Sequence, residues 1–187
     1  RRSSDLIYFD SRCTPAYLKY ADINKSANAG LAIEKLNQLK TLEPSNTAID
    51  KKLAEIYYLK NDFSKAADAY SRFAMGPTAN EEDLVKYAFA LFLNHDFAKS
   101  LEVANMGLKK NPRHAAFNRL AMYNNTDLKR FEEALKAADV FFNECDKADY
   151  SYLDYMYYGH LLEELKKYDE AVGQYEKAVE LDPTKTD

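Results

Sequence analysis

Apolar residues recur along this chain at the three- and four-residue intervals of helices that bury one face. In KNDFSKAADAYSRFA, from Lys60 to Ala74, Phe63, Ala66, Tyr70 and Phe73 form one such stripe. The same template returns in the segments from His95 to Pro112, Lys129 to Phe142 and Lys166 to Pro183. Each copy opens on an aromatic residue, Phe63, Phe97, Phe131 or Tyr168, with a small residue three positions on, Ala66, Ser100, Ala134 or Ala171. The four aromatics are spaced 34, 34 and 37 residues apart. A period of that length accommodates two helices of about 12 to 14 residues and two short turns.

A second stripe precedes each copy. Leu53, Ala54 and Tyr57, then Leu84, Tyr87, Ala88 and Leu91, then Tyr155, Tyr158, Gly159 and Leu162 combine large residues with one small one. Small residues at Ala54, Ala88, Gly159, Ala66 and Ala171 let two antiparallel helices approach, and the large neighbours fill the grooves beside them. One such pair cannot bury both its faces, so pairs must stack on one another. Pro112 and Pro183 end second helices, while Pro77 lies one position early.

These residues resemble the tetratricopeptide repeat (TPR) family, with Ala171, Tyr175, Ala178 and Asp182-Pro183 completing the fullest copy. The resemblance implies an all-α fold, a right-handed α-solenoid of about five antiparallel helix pairs, with at least nine helices and no sheet. It divides the chain into a divergent repeat over 13–46 and repeats over 47–80, 81–114, 115–151 and 152–185. Residues 1–12 match nothing and read as a linker. Thr14-Pro15 is expected as a cap and first-turn proline, with Ala32, Leu36, Leu39 and Pro44 on the second helix of the divergent repeat. The fourth copy is out of step: Phe117, Leu120 and Ala121 look like its large-large-small set, which leaves one residue too many before Ala134. An irregular turn or helix is expected there. After Pro183 no polar capping helix follows in the sequence given, so the face carrying Val179 and Leu165 is expected to be partly uncovered, or covered by another copy end to end or by a downstream segment.

Composition narrows the function. With 47% apolar and 30% charged residues and only 5 Gly and 5 Pro, the chain is helical and globular rather than disordered. A net charge of −4 argues against a nucleic-acid partner. The longest apolar run, Tyr87 to Leu93, is far short of a membrane span. Cys13 and Cys145 stand 132 positions apart without metal-ligand spacing and read as structural thiols. Asn24-Lys25-Ser26 and Asn124-Asn125-Thr126 fit the glycosylation triplet, a pattern common by chance.

No phosphate loop, nucleophile elbow or zinc-protease motif occurs, so an enzyme is not expected and no cofactor is implied. His95 and His114 fall at turns, where a solvated imidazole is expected, and His160 with Glu163 and Glu164 reads as a surface His-Glu group. The TPR resemblance places one row of each first helix on the concave side: Lys51, Glu55 and Tyr58; Val85, Phe89 and Phe92, with Leu93 beside them; and Met156, His160 and Glu163. For the fourth pair the row is either Asn118, Met122 and Asn125 or Arg119, Tyr123 and Thr126. The Lys and Asn clamp by which TPR co-chaperones grip a terminal carboxylate is absent, because its positions carry Lys51, Glu55, Lys86, Ala116 and Leu120. The expected function is a non-catalytic scaffold binding a peptide or partner domain. The alternative is a docking portion of a larger bacterial envelope or substrate-capturing assembly, and a richness in Tyr, Asn and Lys leans the reading toward the periplasm rather than the cytoplasm.

Overall fold

A computed structural model describes residues 13–145 and 149–184, so the linker expected at 1–12 lies outside the described residues. Among them are ten α-helices and no strand: α1 (Thr14–Asn24), α2 (Ala29–Leu42), α3 (Thr47–Leu59), α4 (Phe63–Phe73), α5 (Glu81–Leu93), α6 (Phe97–Lys110), α7 (Ala115–Asp127), α8 (Phe131–Asn143), α9 (Tyr152–Glu164) and α10 (Tyr168–Leu181). The aromatics that mark the period are the first residues of α4, α6, α8 and α10.

One turn design explains that regularity. After α3, α5, α7 and α9 the chain turns in three residues, and the middle one is left-handed: Asn61 (φ 57°), His95 (61°), Lys129 (58°) and Lys166 (61°). In three of these turns the next N–H reaches back to a carbonyl five residues earlier, Asp62 to Tyr57 at 2.9 Å, Arg130 to Asn125 at 2.7 Å and Lys167 to Leu162 at 2.8 Å. That ending satisfies carbonyls the helix leaves unpaired, and it normally uses glycine because a Cβ is crowded there. The third turn residue then caps the next helix where it can: Asp62 and Asp96 accept from the N–H groups of Lys65 and Lys99. At the N-terminus Cys13, not Thr14, is the capping position, and Thr14 Oγ1 instead donates to Glu43 Oε1 at 2.6 Å.

Contacts divide the chain into two compact units, Arg1–Asn94 and His95–Asp187. In the first, α1 with α2 and α3 with α4 form hairpins, α3 packs on α2 and α5 on α4. Leu36, Leu39, Ile49, Leu53, Ile56 and Ala66 are buried between them. In the second, α7 with α8 and α9 with α10 form hairpins, α6 packs on α7, and α9 packs on both α7 and α8. Phe117, Leu120, Met122, Phe141, Leu161 and Leu162 fill that core, each contributing about 1.5–3 kcal/mol by leaving water. Two glycines here are required by contact rather than by backbone. A Cβ on Gly107 would stand 2.1 Å from the Phe117 ring, and one on Gly159 would stand 2.5 Å from Tyr175.

From α7 through the turn to the start of α8 the fourth repeat is not irregular. Helices α3, α5, α7 and α9 each have 13 residues, and α8 begins after the same three-residue turn as its counterparts. What changes is which residue is large. Where the other repeats place Leu53-Ala54, Tyr87-Ala88 and Tyr158-Gly159, α7 has Ala121-Met122, so the bulk moves one residue round the helix. The sequence therefore looks shifted while the backbone keeps step.

Adjoining pairs are joined by a repeated ionic contact. Lys51, fifth residue of α3, lies 4.9 Å above the Phe73 ring and pairs with Asp83, third residue of α5, at 2.8 Å. Arg119, fifth residue of α7, lies 5.1 Å above Phe141 and pairs with Asp154, third residue of α9, at 2.7 Å. Both aspartates also close a capping box, with Asn80 and Ser151. A third buried carboxylate, Asp50, is paired by Lys40 and Arg72. On the outer side of α10, Val172 and Val179 are exposed, whereas the equivalent Ala67 and Ala74 are buried beside α5 and Leu101 beside α7.

Candidate partner-binding site

In the first unit the face formed by α1, α3 and α5 opens into a cleft of about 440 Å³. Glu55, Tyr58 and Leu59 enter it from α3, Lys86 and Phe89 from α5, Tyr70 from α4 behind, and Lys25 from the end of α1. Three of the expected groove residues, Glu55, Tyr58 and Phe89, thus converge on one cavity. Val85 and Leu93 are half-buried and do not line it.

Its floor is aromatic. Tyr58 stands edge-on to Phe63 with ring centres 5.5 Å apart, and Phe89 is half-buried. Tyr70 is only 1% exposed, yet its side chain lines the cleft and its hydroxyl makes no hydrogen bond to a described residue. Burial, reinforced by the Glu55 and Asp83 carboxylates, pushes the Tyr70 hydroxyl pKa well up, and burial pushes that of Tyr58 up as well. Both are therefore neutral donors at neutral pH. The walls are charged. Glu55 pairs with Lys52 at 2.8 Å, not with Lys51 at the i, i+4 spacing, and Lys52 also binds Asp22 at 2.8 Å, which ties α1 to α3. Lys86 pairs with Glu82 at 2.7 Å. The result is a recess that accepts an apolar or aromatic side chain, offers one phenol O–H to an acceptor, and carries cations on two sides.

Several expected groove residues have other roles. Phe92 is buried, 8% exposed, because α5 is apolar almost all round from Tyr87 to Leu93 and finds cover on more than one side. Lys51 is committed to Asp83 and Phe73. In the fourth pair the unshifted row, Arg119, Tyr123 and Thr126, is the equivalent one, and it is consumed by internal bonds. Tyr123 OH donates to Asp154 at 2.6 Å and its ring stacks on Tyr157 at 4.1 Å; Thr126 donates to the Met122 carbonyl at 2.8 Å. In the last pair Met156 is half-buried while His160 and Glu163 are exposed. Glu163 accepts from Tyr175 OH at 2.9 Å, and His160 Nε2 stands 4.0 Å from Glu164 Oε1.

His114 departs from a solvated imidazole: it is half-buried, at the start of α7, with its ring 4.5 Å from Phe117. Cys13 and Cys145 are free thiols, each half-buried. Lys25 and Tyr70 were not legible as site residues, since one lies at the end of a divergent helix and the other fits the core stripe of α4. Among the described residues no group of three His, Cys, Asp or Glu could hold a metal ion, and no helix is long and apolar enough to cross a membrane.

Comparison with known proteins bears on the fold. Residues 152–185 match the family model for the tetratricopeptide repeat. No curated protein sequence matches the chain. Among solved structures, YrrB, described as a TPR protein with an unusual peptide-binding site, superposes with a TM-score of 0.77 at 14% identity, covering 99% of this chain and 94% of that one. MamA superposes with a TM-score of 0.73 at 17% identity, covering 94% and 95%. PilF of Pseudomonas aeruginosa does so with a TM-score of 0.72 at 12% identity, covering 97% and 82%. The fold is therefore that of TPR proteins, all-α and solenoid-like.

Proposed function

We propose that this TPR chain is a non-catalytic scaffold that holds a peptide or partner domain, with the aromatic cleft of its first unit as the primary contact. The observation that carries the reading is the convergence of Tyr58, Phe89 and the unpartnered Tyr70 hydroxyl in one recess of about 440 Å³, the volume class of ligand-binding clefts. A donor with no bond to a described residue has no internal bond to give up, and its hydration is replaced when an incoming carbonyl accepts from it. YrrB, similar in fold, is described as having a peptide-binding site, which favours a peptide occupant here.

Partner capture by the wild-type chain and by Tyr58→Ala and Phe89→Ala variants tests this. Both residues are half-buried, so each variant should fold, while removal of an interface aromatic weakens binding by about 2 kcal/mol or more. Phe92→Ala is the contrast: as a buried aromatic it should lower stability by about 3–5 kcal/mol. Capture that is equal for the wild type and the two half-buried variants would overturn the assignment.

A further inference from the structure

The other first helices fill the i, i+3, i+7 row that begins at their fourth residue with bulk: Leu84, Tyr87 and Leu91 on α5, and Tyr155, Tyr158 and Leu162 on α9; α3 has Asp50, Leu53 and Tyr57. On α7 the same row reads Asn118, Ala121 and Asn125. Apolar volume is thus withdrawn from one face of one repeat and two amides are put in its place. The consequence is a cleft of about 530 Å³ whose floor is that row and whose walls are Leu101 and Leu108 of α6 and Val140 of α8.

The floor amides are available. Asn118 Nδ2 donates to the carbonyls of Pro112 and His114 at 2.9 and 3.2 Å, so the group it offers the cleft is its oxygen. Asn125 is 6% exposed, lines the cleft, and its side chain makes no hydrogen bond to a described residue. An amide that bonds no described residue and lines an open cleft can give up water for a ligand's donor and acceptor. The two are seven residues apart on a helix, about 10.5 Å at 1.5 Å per residue, which is the length of about three residues of extended chain. Asparagine carries the donor and acceptor that a peptide bond needs, and the apolar walls suit side chains on either side of it. On the rim, Arg130, Glu133 and Lys136 form no ion pair among the described residues and sum to a positive charge.

We propose that this cleft is a second binding site, distinct from the aromatic recess, which takes a short extended peptide by its main chain through Asn118 and Asn125 and directs an acidic side chain to Arg130 and Lys136. Were the row only a packing defect, refilling it would stabilise the fold and change nothing else.

The test is a phage library of random peptides of about nine residues selected on the wild-type chain. Enriched peptides are then titrated, as fluorescent synthetic peptides, against wild type, Asn125→Leu, Ala121→Leu, Arg130→Glu and Phe89→Ala. We expect acidic peptides that lose at least about tenfold in affinity on Asn125→Leu, Ala121→Leu and Arg130→Glu but not on Phe89→Ala, while the two refilling variants melt at or above the wild-type temperature. Arg130→Glu, a surface change, keeps the test valid if a refilling variant misfolds. Enrichment of nothing above background, or of peptides that bind all of these variants except Phe89→Ala equally, would overturn this site. Peptides sensitive only to Phe89→Ala would do so while leaving the aromatic recess in place.

Discussion

Removing Asp154 should loosen the second unit more than any surface change. Its carboxylate is fully buried and accepts five bonds: Arg119 Nε at 2.7 Å and Nη2 at 3.0 Å, Tyr123 OH at 2.6 Å, and Ser151 N–H at 2.7 Å and Oγ–H at 2.8 Å. In Asp154→Ala the buried Tyr123 hydroxyl loses its carboxylate acceptor, the α9 cap is lost at about 1 kcal/mol, and Arg119 loses its counter-charge. Breaking a buried pair costs about 3–5 kcal/mol, and Arg119 keeps the Asp149 carbonyl and a side chain 23% exposed, which points to the lower half of that range. Urea titrations followed by circular dichroism should therefore show a loss of about 3–4 kcal/mol. Asp83→Ala, whose Lys51 partner makes a single bond to the carboxylate and is 33% exposed, should lose about 1–2 kcal/mol. Adding Arg119→Met to Asp154→Ala should cost far less than the sum of the two single changes, because the charge left unpaired is then gone. A loss under about 1 kcal/mol for Asp154→Ala, or strict additivity in the double variant, would refute the reasoning.

Gly107→Ala places a methyl 2.1 Å from Phe117 ring atoms and should destabilise by at least about 1–3 kcal/mol in thermal melts, although alanine is the better helix former. Lys129→Gly and Lys166→Gly relieve left-handed lysines at φ 58° and 61° and should each stabilise by up to about 1 kcal/mol, most visibly as slower urea unfolding. Alkaline pH should unfold the chain earlier than its charge alone would: burial, helped by the Glu163 bond, pushes Tyr175 up to about 12, and burial pushes Tyr157 and Tyr158 up too. Since the unfolded tyrosines ionise near about 10, their contribution is whole below that value and is lost as pH rises toward the folded values. Urea midpoints that stay level between about pH 9 and about pH 11 would contradict this.

The period, the helix pairs and their ends were legible in the sequence because they are local properties. Aromatics 34, 34 and 37 residues apart, each with a small residue three positions on, mark where these second helices begin whatever surrounds them. The TPR resemblance, carried over residue by residue, put Glu55, Tyr58 and Phe89 in one row at i, i+4, i+7 on α3 and α5, and these three line the proposed cleft. The row could not say which of its members would be covered. Phe92 went inside and Lys51 was taken by Asp83, 32 residues on, because helices remote in sequence pack against that face.

The sequence by itself determined the helical repeat and its register in three of the four aligned copies. Tertiary structure alone decided the fourth, where Ala121-Met122 reverses the large and small residues of its sisters and Phe117 finds room only against a glycine on another helix. Periodicity records which face of a helix is apolar, but whether a buried position is filled, or left as a cleft floored by Asn118 and Asn125, depends on volumes contributed by α6 and α8. Packing is a property of the whole set of neighbours, and no stretch of chain carries it alone.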